Sequence, residues 1–358
     1  MPPEMPEKRS FGVDAYRRFG GVLIGKKESD IFSKEVLAVM PRCIEWRRRL
    51  HQYPELSFEE YKTTAFLIEE LRKIPGLELQ MPTKTGVVAI LRGAYPGRRI
   101  ALRADIDALP IQEETGLPFA SQVPGIMHAC GHDGHTAMQM AAAALLAEER
   151  EQLHGEVRFI FQHAEELPPG GAVEMAACGV MEGVEEIYGM HLSSAFPTGS
   201  FGIRAGALTS ATDRFDIKIL GKGGHSAFPE TCTDPIVAAA QLITALQTVV
   251  SRNIKATEPA VVSVCMVNAG SAYNIIPGEV SLTGSTRTFN KETRQELPKL
   301  LGRLTKGVCE SFGASYEFRF TLGYASVIND KKLTQVCRQV VDDAFGEQAL
   351  FELEPLMP

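Results

Sequence analysis

Four short segments concentrate acids, imidazoles and a thiol at spacings that suit metal-assisted hydrolysis. In His128-Ala-Cys-Gly-His132-Asp133-Gly-His135, Cys130 and His132 flank a glycine and form a local pair able to turn towards one ion. Asp105 and Asp107 stand close together in RADIDALP, His163-Ala-Glu165-Glu166 joins an imidazole to adjacent carboxylates, and His191 closes the segment GMH. A carboxylate, imidazoles and one thiolate form a mixed donor set that suits zinc and other borderline first-row ions. Cys130, His132, Glu166 and His191 are the candidate ligands. Glu165, beside a ligand but spare, is placed to be the general base towards water. Asp107 is placed to hold a ligand imidazole from behind. Each residue alone has a plain reading: a small buried thiol, a hydrogen-bonded His, a solvated Glu pair, an Asp in a turn. Their common position at strand ends weighs against coincidence.

The elements that must position them read as strands alternating with helices. Apolar residues Ile31, Val36, Leu37, Met40 and Ile44 recur at helical spacing. Ser57-Phe-Glu-Glu60 reads as a capping box ahead of a helix to about Ile74, where Pro75-Gly76 stops it. Strands are expected over 86–91, 99–104, 157–162 and 186–191, with an alanine-rich helix over 135–151. Buried strands separated by helices imply an α/β fold with an open, mostly parallel sheet, whose ligands collect at the carboxyl ends of the strands. From about Gly199 the pattern changes: strand 214–220, helix 234–251, strands 260–267 and 280–289, helix 291–312, strand 316–322. That order, β-α-β-β-α-β, is ferredoxin-like. The expected organisation is therefore a catalytic domain over 31–205 and 324–358, interrupted by an inserted α+β domain over 206–323.

The chain has 358 residues, which suggests two domains. With 44% hydrophobic and 23% charged residues, it is neither disordered nor fibrous. Lys plus Arg is 37 and Asp plus Glu 44, a net charge of −7 that gives no general attraction to nucleic acid or an anionic membrane. The apolar stretches are too short for a bilayer span. The first residues, MPPEMPEKRS, lack a signal-like apolar core and read as a loose tail. Seven cysteines without paired spacing fit reduced thiols in a cytoplasm.

The motifs RADIDALP, MHACGHDGHTAM, FQHAEE, GMHL, GGHSAFPE and NIIPGEV, in that order, resemble the M20 metallopeptidase family. The likeness runs from about Arg47 to Val327 and is greatest to the amidohydrolase branch: hippurate hydrolases, N-acyl-amino-acid deacylases and auxin-conjugate hydrolases. His51-Gln-Tyr-Pro-Glu55 resembles that branch's early HxxPE segment, and residues 1–30 match nothing recognisable. The resemblance implies two divalent ions (zinc or manganese, with cobalt or nickel as alternatives) on Cys130, His132, Glu166 and His191, with Cys130 as the bridge and Glu165 as base. Asp105 stands where relatives with a different motif carry a His ligand. The inserted domain is expected to act as a lid and to form a homodimer, through which His225 reaches a site to stabilise the oxyanion. Asn274 and Arg287 resemble lid residues that bind the substrate carboxylate. The expected reaction is cleavage of an N-acyl amino acid to the amino acid and a carboxylic acid. Alternatives are a metallo-dipeptidase or aminoacylase of the same family, or a hydrolase using Cys130 as nucleophile. A non-catalytic or impaired metal-binding homologue is a further alternative. Family members usually continue for several tens of residues beyond the equivalent of Pro358, with a further His ligand. On that ground the 358-residue form is expected to hold at most one ion tightly and to show little amidase activity.

Overall fold

A computed structural model describes residues 31–357, and its chain divides into two compact units between Ser200 and Phe201. The first unit opens with helices α1 (Lys34–Gln52) and α2 (Tyr61–Leu71), followed by strands β1 (Leu77–Gln80), β2 (Val87–Arg92) and β3 (Tyr95–Asp105). Helix α3 (His132–Glu148) crosses to β4 (His154–Gln162), and α4 (Gly171–Ala177) leads to β5 (Glu186–Gly189). The sheet order is β1-β2-β4-β3-β5. Strands β4, β3 and β5 run parallel, whereas β1 pairs antiparallel with β2, and β2 antiparallel with β4. The sheet is thus mixed rather than mostly parallel. Residues 81–86 between β1 and β2 are too few for the crossover a parallel pair needs, so that pair closes as an antiparallel one.

Strand β2 is buried on both faces, which is why its sequence VVAIL is continuously apolar. Val87, Ala89 and Leu91 join Leu67, Leu71, Met140, Phe159 and Phe161 on one side, while Val88 and Ile90 join Ile160 and Met175 on the other. The expected capping box does not form. Helix α2 starts at Tyr61, and the Glu60 side chain caps nothing. The first turn is held instead by the Glu55 carboxylate, which accepts from the backbone N–H of Thr63 at 2.8 Å and of Lys62 at 3.2 Å.

In the second unit, β6 (Phe201–Ile203) and β7 (Gly206–Thr209) precede β8 (Ala211–Leu220), β9 (Gly224–His225) and α5 (Pro235–Thr248). Then come β10 (Ala260–Ala269), β11 (Ile275–Ile276), β12 (Glu279–Thr288), α6 (Lys291–Ser311) and β13 (Ser315–Leu322). The antiparallel sheet runs β10-β12-β8-β13, the strand order of a ferredoxin-like unit. Phe215, Ile217 and Ile219 of β8 meet Leu242 and Leu246 of α5 and Leu297 and Leu301 of α6 in its core. The chain then returns through β14 (Val327–Asn329), α7 (Lys331–Phe345) and β15 (Leu350–Glu352), with β14 pairing β7 and β15 pairing β6. Among the described residues no helix is long and apolar enough to cross a membrane.

Candidate metal centre

Three strand ends and one helix start of the first unit deliver the chemistry. Strand β3 ends on Asp105, and Asp107 follows; both are buried. Helix α3 begins at His132, immediately after Gly131 at φ +96°. That left-handed conformation suits glycine and turns the chain between Cys130 and His132. Strand β4 ends at Gln162, and the chain turns at Ala164 before Glu165 and Glu166. His191 lies just beyond the end of β5 and is exposed.

His132 is the hub. Its Nδ1 lies 2.9 Å from the Asp107 carbonyl oxygen and 3.2 Å from Asp107 Oδ1. Because the carbonyl only accepts, Nδ1 carries a proton, and Nε2 faces Asp105 Oδ2 at 3.6 Å, Glu166 Oε1 at 3.8 Å and Glu165 Oε2 at 3.9 Å. His132 Nε2 and Glu166 Oε1 are both buried with no hydrogen-bond partner among the described residues. Two such atoms from opposite donor types, facing each other beyond hydrogen-bond distance, fit a cation between them. Cys130 Sγ lies 3.3 Å from His191 Nε2, and His191 Nδ1 donates to the Leu192 carbonyl, leaving Nε2 for a ligand role. Cys130, His132 and His191 form one set with ligand atoms within 4.8 Å of one another, and His132, Glu165 and Glu166 form another.

The electrostatics agree with that fit. Burial works against charge on His132, but the bond to Asp107, with Cys130 and Asp105 beside it, pushes its pKa up to about 11. Surroundings that hold a proton so firmly also favour a divalent ion, which competes for the same lone pair. Burial also opposes charge on Asp107, yet bonds from His132, the Glu166 N–H and Ser57 pull its carboxyl below the usual range. Burial, with Asp105 and Glu166 as neighbouring acids, pushes Glu165 up. Partial desolvation by the side chains packed around its ring, with His135 and His132 close by, shifts His191 down despite its exposed position, towards the neutral form that ligates.

The structure therefore brings Cys130, His132, Glu165, Glu166, His191 and Asp107 together in one unit. It also adds residues to which sequence reasoning assigned no supporting role. His135 donates from Nδ1 to Asp105 Oδ1 at 2.7 Å and accepts the Leu192 N–H at Nε2 at 2.8 Å, tying the His191 segment to the end of β3. Its spacing from His132, one helical turn along α3, was the available signal. Arg103 pairs with Asp105 at 2.7 Å, and Ser57 donates to Asp107 Oδ2 at 2.7 Å. His51 meets Asp133 at 2.9 Å, so the HxxPE segment is anchored to the metal-loop helix.

His225, Asn274 and Arg287 lie in the second unit. His225 on β9 pairs with Ile275 of β11, and the Ser226 N–H donates to the Asn274 carbonyl at 3.1 Å, so His225 and Asn274 share one loop cluster. Arg287 pairs with Thr212 at the opposite end of β12 from Glu279, which pairs with Leu220. The ladder thus separates Arg287 from the His225 loop by the length of the strand, roughly 27 Å at about 3.4 Å per residue.

The profile of Peptidase family M20/M25/M40 matches residues 101–358. An N-acyl-L-amino acid amidohydrolase of Geobacillus stearothermophilus is 53% identical over 286 residues, covering 80% of this chain and 77% of that protein. An N-acetylcysteine deacetylase of Bacillus subtilis is 48% identical over 290 residues, covering 81% and 76%. The crystal structure of a Bacillus subtilis dinuclear metal binding peptidase from the M20 family superposes with a TM-score of 0.78 at 41% identity, covering 90% of this chain and 84% of that one. The matched residues include the strand ends and helix start that carry Asp105, His132, Glu165 and His191, and the chain belongs to peptidase family M20/M25/M40.

Proposed function

We propose that the protein is a metal-dependent amidohydrolase that cleaves N-acyl amino acids, of hippurate or N-acetyl type, to the amino acid and a carboxylic acid. The observation that carries this reading is the pair of buried, partnerless atoms His132 Nε2 and Glu166 Oε1, flanked by Glu165, Cys130 and His191. The two relatives named as an amidohydrolase and a deacetylase of N-acyl amino acids support the substrate class. Cys130, His132, Glu166 and His191 would hold two divalent ions, zinc or manganese, with cobalt or nickel as alternatives. When bound, these supply Lewis-acid polarisation of water and of the scissile carbonyl.

The chain's own residues do the rest. Asp107 fixes the His132 tautomer through Nδ1. Glu165 takes a proton from the attacking water and returns it to the leaving amine nitrogen, so one residue serves as base and then as acid. Residues 206–323 of the second unit are read as the lid, a segment inserted in the sequence between 31–205 and 324–358. His225 donates to the oxyanion, and Asn274 or Arg287 holds the substrate carboxylate. Because Arg287 lies at the far end of β12 from the His225 loop, one lid does not present both to a single point. That separation supports a homodimer in which the His225 loop serves the partner's site. Among the described residues strand β10 lies at the edge of its sheet with Met266 and Val267 exposed, and Ile236 and Val237 of α5 are exposed as well, apolar surface that suits such an interface. Seven unpaired cysteines support a cytoplasmic location.

The deciding experiment is hydrolysis of N-acetyl, N-benzoyl and dipeptide substrates by protein stripped with a chelator and reloaded with zinc or manganese. Turnover of the N-acyl panel that vanishes with the chelator and returns with the metal is expected. Turnover insensitive to the chelator refutes the reading. The shared site has its own test. A mixture of His225→Ala and Glu165→Gln subunits, each inactive alone, should recover about a quarter of wild-type activity, since half the dimers are mixed and each has one complete site. A mixed dimer shown by mass spectrometry to form, yet with no recovery, shows each subunit to be self-contained.

A further inference from the structure

The general-base segment turns on a residue that is not glycine. Ala164, between His163 and Glu165, has φ +46°, a left-handed conformation that side chains with a Cβ adopt at a cost. Its carbonyl accepts the Gly171 N–H at 3.1 Å. Its own N–H donates at 2.7 Å to Oε1 of Glu60, a carboxylate 104 residues away in sequence. Glu60 is 0% exposed, and its other oxygen, Oε2, accepts from the buried Thr85 hydroxyl at 2.9 Å. A carboxylate held by neutral donors, the Ala164 and Glu60 N–H groups and the Thr85 hydroxyl, is costly to bury, and an apolar residue would fill a purely structural position more cheaply. Two residues further on, the Glu166 N–H donates to Asp107 Oδ2 at 2.9 Å. The backbone of the catalytic pair is thus gripped on either side of Glu165 by two carboxylates from different elements.

We propose that Glu60 is a positioning residue: its buried carboxylate pins the left-handed turn at Ala164, from which Glu165 and Glu166 reach His132. The inference rests on Glu165 being the base of the proposed amidase. The Glu60 carboxylate bonds to Ala164 and Thr85, neither of them a proposed metal ligand, so its loss acts through the placement of Glu165. A displacement of about 1 Å in a catalytic group costs on the order of 10²-fold.

The test uses the full chain. Glu60→Ala should lower kcat by about 10²-fold with KM little changed. Glu60→Gln should keep most of the rate, because its carbonyl oxygen still accepts from Ala164 and its amide donates to the Thr85 hydroxyl. Adding Ala164→Gly to Glu60→Ala should recover about tenfold in kcat, since glycine adopts the turn unaided. A residue that merely fills the core would show a lowered melting temperature with no rescue by glycine at 164. The second readout needs no activity. In protein labelled with 15N-alanine, the Ala164 amide, assigned by its absence in Ala164→Gly, should shift between wild type and Glu60→Gln as its acceptor changes from a carboxyl oxygen to an amide oxygen. An unchanged Ala164 resonance in Glu60→Gln, or a Glu60→Ala variant within about threefold of wild-type kcat, overturns the proposal. If the wild type hydrolyses no N-acyl substrate, the functional reading fails while the amide shift still decides this one.

Discussion

Glu165→Gln is expected to lower kcat by about 10²–10⁴-fold while leaving metal content at the wild-type level. The amide keeps the size of the side chain and still accepts a hydrogen bond, but it cannot take the proton of the attacking water. Glu165 follows the end of β4 through the Ala164 turn, and its Oε2 lies 3.9 Å from His132 Nε2, beside the ligand set rather than within hydrogen-bond reach of the hub. Burial raises its pKa, and the neighbouring Asp105 and Glu166 add to the effect. A carboxylate raised in this way is a stronger acceptor near neutral pH and a better acid once it holds the proton, as a group that serves first as base and then as acid requires. Steady-state kinetics on an N-acyl amino acid, paired with metal analysis of the same preparation, checks both halves. A Gln variant with more than about a tenth of the wild-type rate assigns the base elsewhere. A Gln variant that loses metal makes Glu165 a ligand.

The parts of this site that were legible in the sequence are those where residue type and local position coincide. Cys130, His132, Glu165, Glu166 and His191 each follow an apolar run or open a helix, so the pattern that locates a strand end also locates the chemistry. What stayed hidden depends on contacts across the chain. Ser57 and Glu60 have the spacing of a capping box, but Ser57 donates to Asp107, and Glu60 is drawn inward to the Ala164 amide. No local pattern distinguishes a Glu that caps its own helix from one that reaches a strand end 104 residues away. The sheet order was hidden for the same reason, because the apolar runs of β2, β3 and β4 are alike whichever neighbour each strand takes. Asp105 illustrates the point at the site itself. Its carboxylate is shared by Arg103 and His135, and those partners hold its pKa down despite burial. Arg287 belongs here too: its motif lies close in sequence to Asn274, yet the β12 ladder carries it to the far end of the sheet.

Cys130→Ala is expected to abolish activity together with metal binding, which separates a ligand from a nucleophile. Cys130 Sγ lies 3.3 Å from His191 Nε2 and within 4.8 Å of a His132 ligand atom, and Glu166 is near enough to bear on its pKa, so one sulfur neighbours all three other proposed ligands. A donor in that position is suited to serve both ions, and its removal weakens both. Losing a partner that only orients a metal ligand costs 10–100-fold in affinity, so losing a shared ligand should cost more than about 100-fold. The protonation of the thiol points the same way. His132 favours the thiolate, but burial and the adjacent Glu166 outweigh it and push the Cys130 pKa up. Nucleophilic cysteines have depressed pKa values set by cationic surroundings, whereas this thiol is shifted the other way, and a bound cation would favour its thiolate. Titration of the stripped protein with zinc should therefore release protons in the wild type and fewer in Cys130→Ala, with calorimetric affinity falling in parallel. A Cys130→Ala variant with full metal occupancy and no activity would make the thiol a nucleophile. One with full occupancy and full activity would leave His132, Glu166 and His191 as the whole ligand set.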